Sequence, residues 1–138
     1  MIVLDTDSLT LLLAQHSRVA DRYRRETDEV VLAIITRIEI LQGRFATVLK
    51  AADGVQLQRG QQRLDMAERD LQPFSILRIT GAVATQFDRL RQIRKLKRIG
   101  RGDLLIAAIT LANRAMLVSR NLTDFRQVPG LQVENWAD

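Results

Sequence analysis

"GRGDLLIAAITLANRAMLVSRNLTDFRQVPGLQVENW", residues 100–136, decides how this chain is read. The Gly-Arg-Gly break is followed by Asp103 and then by "LLIAAITLANRA", a segment apolar almost all round. A helix of that kind has no solvent face and belongs at the centre of a core. "MLVS" follows as a strand, "RNLTDF" as a loop or short turn, "VPG" as a turn and "LQVEN" as a last strand. The same alternation runs upstream. "MIVLD" is a short buried strand, and "SLTLLLAQHSRVADRYRRE" reads as one helix with Leu9, Leu12, Leu13, Val19 and Tyr23 at helical spacing. "VVLAII", residues 30–35, is a β-branched second strand. Thr36 opens a helix that breaks near Gly54. A polar amphipathic helix then resumes and ends at Pro73. "SILRI" is a short strand, and Thr80 begins a helix carrying Val83, Phe87 and Leu90. Strands alternating with helices predict a three-layer α/β fold over residues 1–138. Its central sheet is mostly parallel, has four to five strands and is flanked by helices.

Composition narrows the chemistry. The 138 residues suffice for one domain with a real core, and 46% hydrophobic with 27% charged residues describes a globular chain. There is no cysteine, which excludes disulfide frameworks, thiolate metal sites and cysteine nucleophiles. His16 is the only histidine, so a His-based triad or a multi-His site has nothing to build on, and His16 itself reads as a surface or interface residue. The start "MIVLD" lacks a basic n-region and a long apolar h-region. No stretch approaches the ~18 apolar residues of a membrane span. A cytoplasmic protein without membrane partners is the expectation.

In parallel sheets ligands bind beyond the carboxyl ends of the strands. Acids stand where this chain's strands end: Asp5 after the first, Glu39 in the helix after the second, Asp103 at the head of the apolar helix and Asp124 after "MLVS". Each also has a local explanation. Thr36 to Glu39 fits the capping box T-x-x-E, Asp103 suits a helix N-cap, Asp5 and Asp7 suit a cap and a first turn, and Asp124 with Asn121 suits a turn. Gathered at one end of one sheet, four carboxylates would repel one another unless they took up protons or a cation joined them. Oxygen ligands around an open position are what Mg²⁺ or Mn²⁺ accept.

Three segments carry a resemblance: "LDTDSL" near the start, "ITRIEILQG" a third of the way along, and residues 100–136. With these the chain resembles a PIN-domain endoribonuclease of the VapC toxin type, in which residues 46–98 match only in helical character. The family often has Asn at the position of Asp7 and Thr at that of Ser119. The resemblance implies a PIN fold, dependence on Mg²⁺ or Mn²⁺, and RNA cleavage by attack of a metal-activated water, leaving 5′-phosphate and 3′-hydroxyl ends. It implies that Asp5 and Asp103 are the principal metal ligands and that Asp124 joins them directly or through water. Glu39 then binds metal or positions the attacking water. Asp7, Ser119 and Asn121 hold the surrounding hydrogen bonds. It further implies a small antitoxin that covers the acidic groove, and a homodimer.

Two other readings fit parts of the sequence. A PIN-like RNA-binding or scaffold protein without activity would keep the fold, but the loss of acids that marks such a protein is not seen here. "DTD" also fits the D-x-D of haloacid-dehalogenase-like phosphatases, with Asp5 as a covalent nucleophile. That family's later acidic motif carries a second acid four residues on, where this chain has Ala107. Charge adds an RNA-facing candidate. The net charge is +5, and "RLRQIRKLKRIGR", residues 89–101, holds seven basic residues and no acid. Read as a helix it aligns Arg91, Arg94, Lys95 and Arg98 on one face, with Arg101 just before Asp103. Arg94, Arg98 and Arg101 are the expected RNA contacts, against a plain solvated face as the alternative.

Overall fold

The computed structural model describes residues 1–138. The chain runs β1 (Ile2–Leu4), α1 (Thr6–Leu13), α2 (Ser17–Arg25), β2 (Val30–Ala33), α3 (Ile34–Leu49), α4 (Gly54–Leu71) and β3 (Ile76–Leu77). It continues with α5 (Gly81–Arg91), a 3₁₀ turn at Arg94–Leu96, α6 (Arg101–Ala112), β4 (Met116–Val118), α7 (Leu122–Phe125) and β5 (Gln132–Glu134). The five strands form one sheet in the order β3-β2-β1-β4-β5, and every pairing is parallel.

Strand alternation builds the layers. Val3, Val31, Ala33 and Leu117 point to one face, where they pack with Leu90 of α5 and Leu104, Ile106, Ala107 and Ala108 of α6. Ile2, Leu4, Leu32 and Val118 point to the other, against Leu9 and Leu12 of α1, Val19 of α2, Leu71 of α4 and Trp136. A parallel sheet must be covered on both sides, and these two clusters do so. The all-round apolar helix is α6, with Ile106 to Thr110 buried. Thr110 is tolerated there because its hydroxyl donates to the Ile106 carbonyl at 2.8 Å. No helix is long and apolar enough to cross a membrane.

Five local readings are corrected. The predicted helix through residues 8–26 is two helices, because the chain turns through Gln15 at φ 60° and restarts with His16 as N-cap. His16 Nδ1 accepts from the Val19 N–H at 3.4 Å, so the lone histidine is a capping residue. The second strand stops at Ala33 rather than residue 35, and α3 begins at Ile34. Thr36 is therefore already inside the helix and buried, so the T-x-x-E capping box does not exist. Asp103 is the third residue of α6 rather than its cap, since α6 starts at Arg101 after Gly100. The basic run is not one helix either. α5 ends at Arg91 and the 3₁₀ turn follows, tucking Leu90 and Leu96 into the core. Arg91, Arg94, Lys95 and Arg98 thus share no helical face.

α3 and α4 form a long hairpin held close by Gly60. A Cβ at Gly60 would lie 3.0 Å from Val48 Cγ2 and 3.3 Å from Val48 Cα, whereas one at Gly43 of α3 meets nothing within 4 Å. Alanine is favoured over glycine in a helix by about 1 kcal/mol. Gly43→Ala should therefore raise the unfolding free energy by roughly 0.5–1 kcal/mol in urea melts. Gly60→Ala should show no gain or a net loss, because the methyl must push the two helices apart.

Candidate active site

β1 is the innermost strand at the reversal of the sheet order, with β2 on one side and β4 on the other. The carboxyl ends of β1 and β4 therefore form the switch-point crevice in which α/β sheets bind ligands. Asp5 leaves β1 with its N–H bonded to the Val118 carbonyl at 3.0 Å, which ties it to the end of β4. It is the N-cap of α1: Oδ1 accepts from the Ser8 N–H at 2.8 Å. Oδ2 takes no hydrogen bond from the protein, and no buried side-chain oxygen lacks a partner. One oxygen of Asp5 thus holds the helix while the other is left to the cleft.

That cleft is about 700 Å³, and its nine lining residues include no hydrophobic one. Asp5, Asp7, Glu39 and Asp103 line it together with Asn121 and Arg120. A groove of about 590 Å³ along α3 and the end of α4 is floored by Leu41, Leu71, Phe74 and Ile76, and none of the four strand-end acids lines it. The oxygen chemistry is concentrated in the first.

Glu39 arrives from α3 with its side chain exposed rather than spent on a cap. The Thr6 hydroxyl, from the first residue of α1, donates to Glu39 Oε1 at 2.9 Å and lies 3.1 Å from Thr36 Oγ1. Thr6 has one proton, and the carboxylate takes it. The Thr36 hydroxyl then supplies the proton between the two threonines. Glu39 also lies over the start of α6, since a Cβ at Gly102 would sit 3.6 Å from Oε2.

Asp103 meets the sum of these placements. Its carboxyl is held above the ordinary value of 3.8, first by burial, then by the charges of Asp5 and Glu39, and lastly by Asp124. The Asn121 amide works against the rise. Asn121 is the N-cap of α7; its Nδ2 donates to Asp124 Oδ2 at 2.9 Å, and its own N–H is held by Ser119 Oγ at 2.9 Å. Ser119 is fully buried behind it. Asp124 therefore stands behind the cleft wall, charged against Asp103 but not lining the space.

The expected residues fall into three groups. Asp5, Glu39 and Asp103 share the cleft, with Asp124, Asn121 and Ser119 as one hydrogen-bonded layer behind. Asp7 lies on the exposed rim, where its Oδ2 is 3.8 Å from Arg120 Nη1. Arg94, Arg98 and Arg101 line no part of the cleft. Sequence reasoning missed Thr6 and Thr36, whose pairing joins residues thirty apart and leaves no local pattern. It also missed Asp138, which lines the cleft through the fold of the last segment, where Asn135 Nδ2 donates to Asp138 Oδ2 at 2.8 Å.

The donor set is all oxygen, which suits a hard divalent cation. As placed, no three of these side chains close around a single point.

Known proteins share this fold. "tRNA(fMet)-specific endonuclease VapC" of Salmonella typhimurium is 22% identical over 135 residues, covering 97% of this chain and 96% of its own. "Ribonuclease VapC2" of Rickettsia felis is 47% identical over 38 residues, 28% of each chain. Among solved structures, a chain of DNA-bound VapBC from Salmonella typhimurium superposes with a TM-score of 0.78 at 21% identity, over 98% of this chain and 97% of that one. A chain of VapBC-1 from nontypeable Haemophilus influenzae gives 0.75 at 22% identity over the whole of both. The PIN domain is matched from residue 2 to residue 131, a span holding Asp5, Glu39, Asp103 and Asp124, and the chain belongs to the PIN domain family.

Proposed function

We propose that this chain is a divalent-cation-dependent endoribonuclease, the toxin of a toxin–antitoxin pair, which hydrolyses RNA phosphodiester bonds as a homodimer under the control of a small antitoxin. The observation that carries the reading is the raised carboxyl of Asp103, crowded by Asp5, Glu39 and Asp124 in a cleft with no apolar lining. Such crowding is costly for a structural site and is relieved by a cation. Relatives described as ribonucleases, and solved relatives that are VapBC complexes, support the same reading. Family membership sets aside the aspartyl-phosphatase alternative, and the complete acid set speaks against a scaffold without activity.

In this reading Asp5 and Asp103 hold Mg²⁺ or Mn²⁺, and Asp124 contributes through the Asn121 layer. When bound, the cation supplies an activated water and neutralises charge on the scissile phosphate. The chain's own residues supply order. Asp5 is fixed by the α1 cap, so its free oxygen has one direction. Thr6 fixes Glu39 by Oε1, leaving Oε2 to orient the attacking water and take its proton. Ser119 and Asn121 hold Asp124 and temper the charge on Asp103. No protein nucleophile is required, in keeping with a chain that has no cysteine and one histidine.

Asp103→Asn should abolish cation-dependent RNA cleavage, by on the order of 10²-fold or more, since changes one layer further out already cost 10–100-fold. It should also stabilise the cation-free protein. The folded carboxyl titrates above 3.8, so its proton stabilises the fold at low pH, and that contribution is lost as pH rises through the folded value. The gain in the variant should thus appear at neutral pH and vanish in acid, with solvent screening holding it under about 1 kcal/mol. Thermal melts in EDTA across pH check this; a variant that cleaves at the wild-type rate removes Asp103 from the site.

Asp5→Asn and Asp5→Ala separate the two jobs of that residue. Asparagine caps as well as aspartate, so Asp5→Asn should keep stability and lose cleavage, whereas Asp5→Ala should lose about 1 kcal/mol as well. Glu39→Gln, at an exposed position with no capping role, should leave the melting temperature unchanged while cleavage collapses. Retained activity would show that Glu39 takes no part in the reaction.

A further inference from the structure

The cleft has one cation in its lining, Arg120, and this residue lies on the side of β4 and β5. Beyond it, on the same side, a second groove of about 600 Å³ runs between α2 and α7, lined by Arg18, Arg22, Arg25 and Arg126. The two spaces meet at the end of the chain: Asn135 lines the arginine groove and donates to Asp138, which lines the acidic cleft. Arg18, Arg22 and Arg25 stand at i, i+4 and i+7 of α2, so they share one face of that helix.

These guanidiniums are not equally committed. Arg22 lies 5.5 Å above the Trp136 ring and pairs with Glu134 at 3.4 Å and Glu26 at 3.8 Å, which makes it part of the wall. Arg18, Arg25 and Arg126 are exposed and have no carboxylate within 4.0 Å. The groove's two acids are engaged, Asp21 with Arg24 and Glu134 with Arg22. A surplus of positive charge therefore lies along a groove that adjoins the cleft across the Asn135–Asp138 hydrogen bond, and on the cleft side Arg120 is lightly tethered to Asp7 at 3.8 Å. The run through Arg94 and Arg98 is equally basic, but none of it reaches the cleft lining.

We propose that the RNA strand passes from the acidic cleft over Arg120 into the groove between α2 and α7, with Arg18, Arg25 and Arg126 binding its phosphates. This rests on the ribonuclease reading and adds the direction of the substrate to it. An extended single strand suits the groove, because exposed guanidiniums on its two walls, Arg18 and Arg25 of α2 and Arg126 at the end of α7, bind phosphates without reading sequence, and Arg25 keeps only a 3.3 Å hydrogen bond from Nε to the Asp21 carbonyl.

The test is anisotropy of a fluorescein-labelled single-stranded oligoribonucleotide, titrated in EDTA at several salt concentrations, with cleavage measured separately in Mg²⁺. Arg18→Gln/Arg126→Gln should weaken binding by about tenfold and lower the salt slope by about 1.4, roughly 0.7 for each phosphate no longer neutralised. In cleavage it should raise KM and leave kcat unchanged. Both side chains are exposed, and circular dichroism confirms that the variant is folded. Wild-type affinity and slope in this variant overturn the proposal, as does a weakening confined to Arg94→Gln/Arg98→Gln. An acidic protein segment as the true occupant of the groove would give the first of these results. A wild-type protein that neither binds nor cleaves RNA in Mg²⁺ or Mn²⁺ would instead overturn the ribonuclease reading itself.

Discussion

The structure depends on the parallel pairing of β1 with both β2 and β4. Three residues, Ile2 to Leu4, are bonded on either side and buried on both faces. A parallel strand in this position needs helices above and below, and the chain supplies them in the order of its crossovers. The pairing also fixes where the chemistry is. Asp5 is the first residue past β1, and its N–H still follows the ladder to Val118. A one-residue slip in that register would turn Asp5 into the core and carry the opening of α1 with it.

From this constraint the electrostatics follow. Asp5, Glu39 and Asp103 come from the N-terminal parts of three different helices, which converge because their strands or packing partners are adjacent. Asp5 caps α1 and Asp103 lies in the first turn of α6, where a helix N-terminus favours negative charge and offsets part of the repulsion among the acids. The offset is incomplete, since the Asp103 carboxyl remains raised. The fold thus holds these acids against a mutual repulsion that its helix ends only partly relieve. Around them it places neutral hydrogen bonds, Thr6 to Glu39 and Asn121 to Asp124, which fix direction without adding charge.

Basic charge is distributed differently. The densest run in the sequence, residues 89–101, ends as a short 3₁₀ turn whose apolar residues close the core beside α5 and α6. The arginines of α2 are less conspicuous in the sequence because acids are interspersed with them, yet those acids are paired off in space. Free charge near the cleft is decided by which side chains find partners, and a count along the sequence does not report that.

Much was legible in the sequence. The alternation of apolar strands with amphipathic helices specified a parallel α/β sheet, because burial on both faces demands that pattern. Asp5, Glu39, Asp103 and Asp124 could be picked out because strand ends are where such sheets bind ligands, and "GRGDLL" through "SRNLTDF" is a long ordered motif. Boundaries were less legible. Thr36 to Glu39 looked like a capping box, and only the fold showed α3 starting earlier, since strand and helix both accept the β-branched residues 34 and 35. The threonine pair and the place of Asp138 in the cleft were decided by tertiary structure alone. So was the division of the acids into those that line the cleft and Asp124 behind it. Chemical identity is written residue by residue, but proximity between residues thirty or a hundred positions apart is set by sheet order and helix packing, which no local pattern encodes.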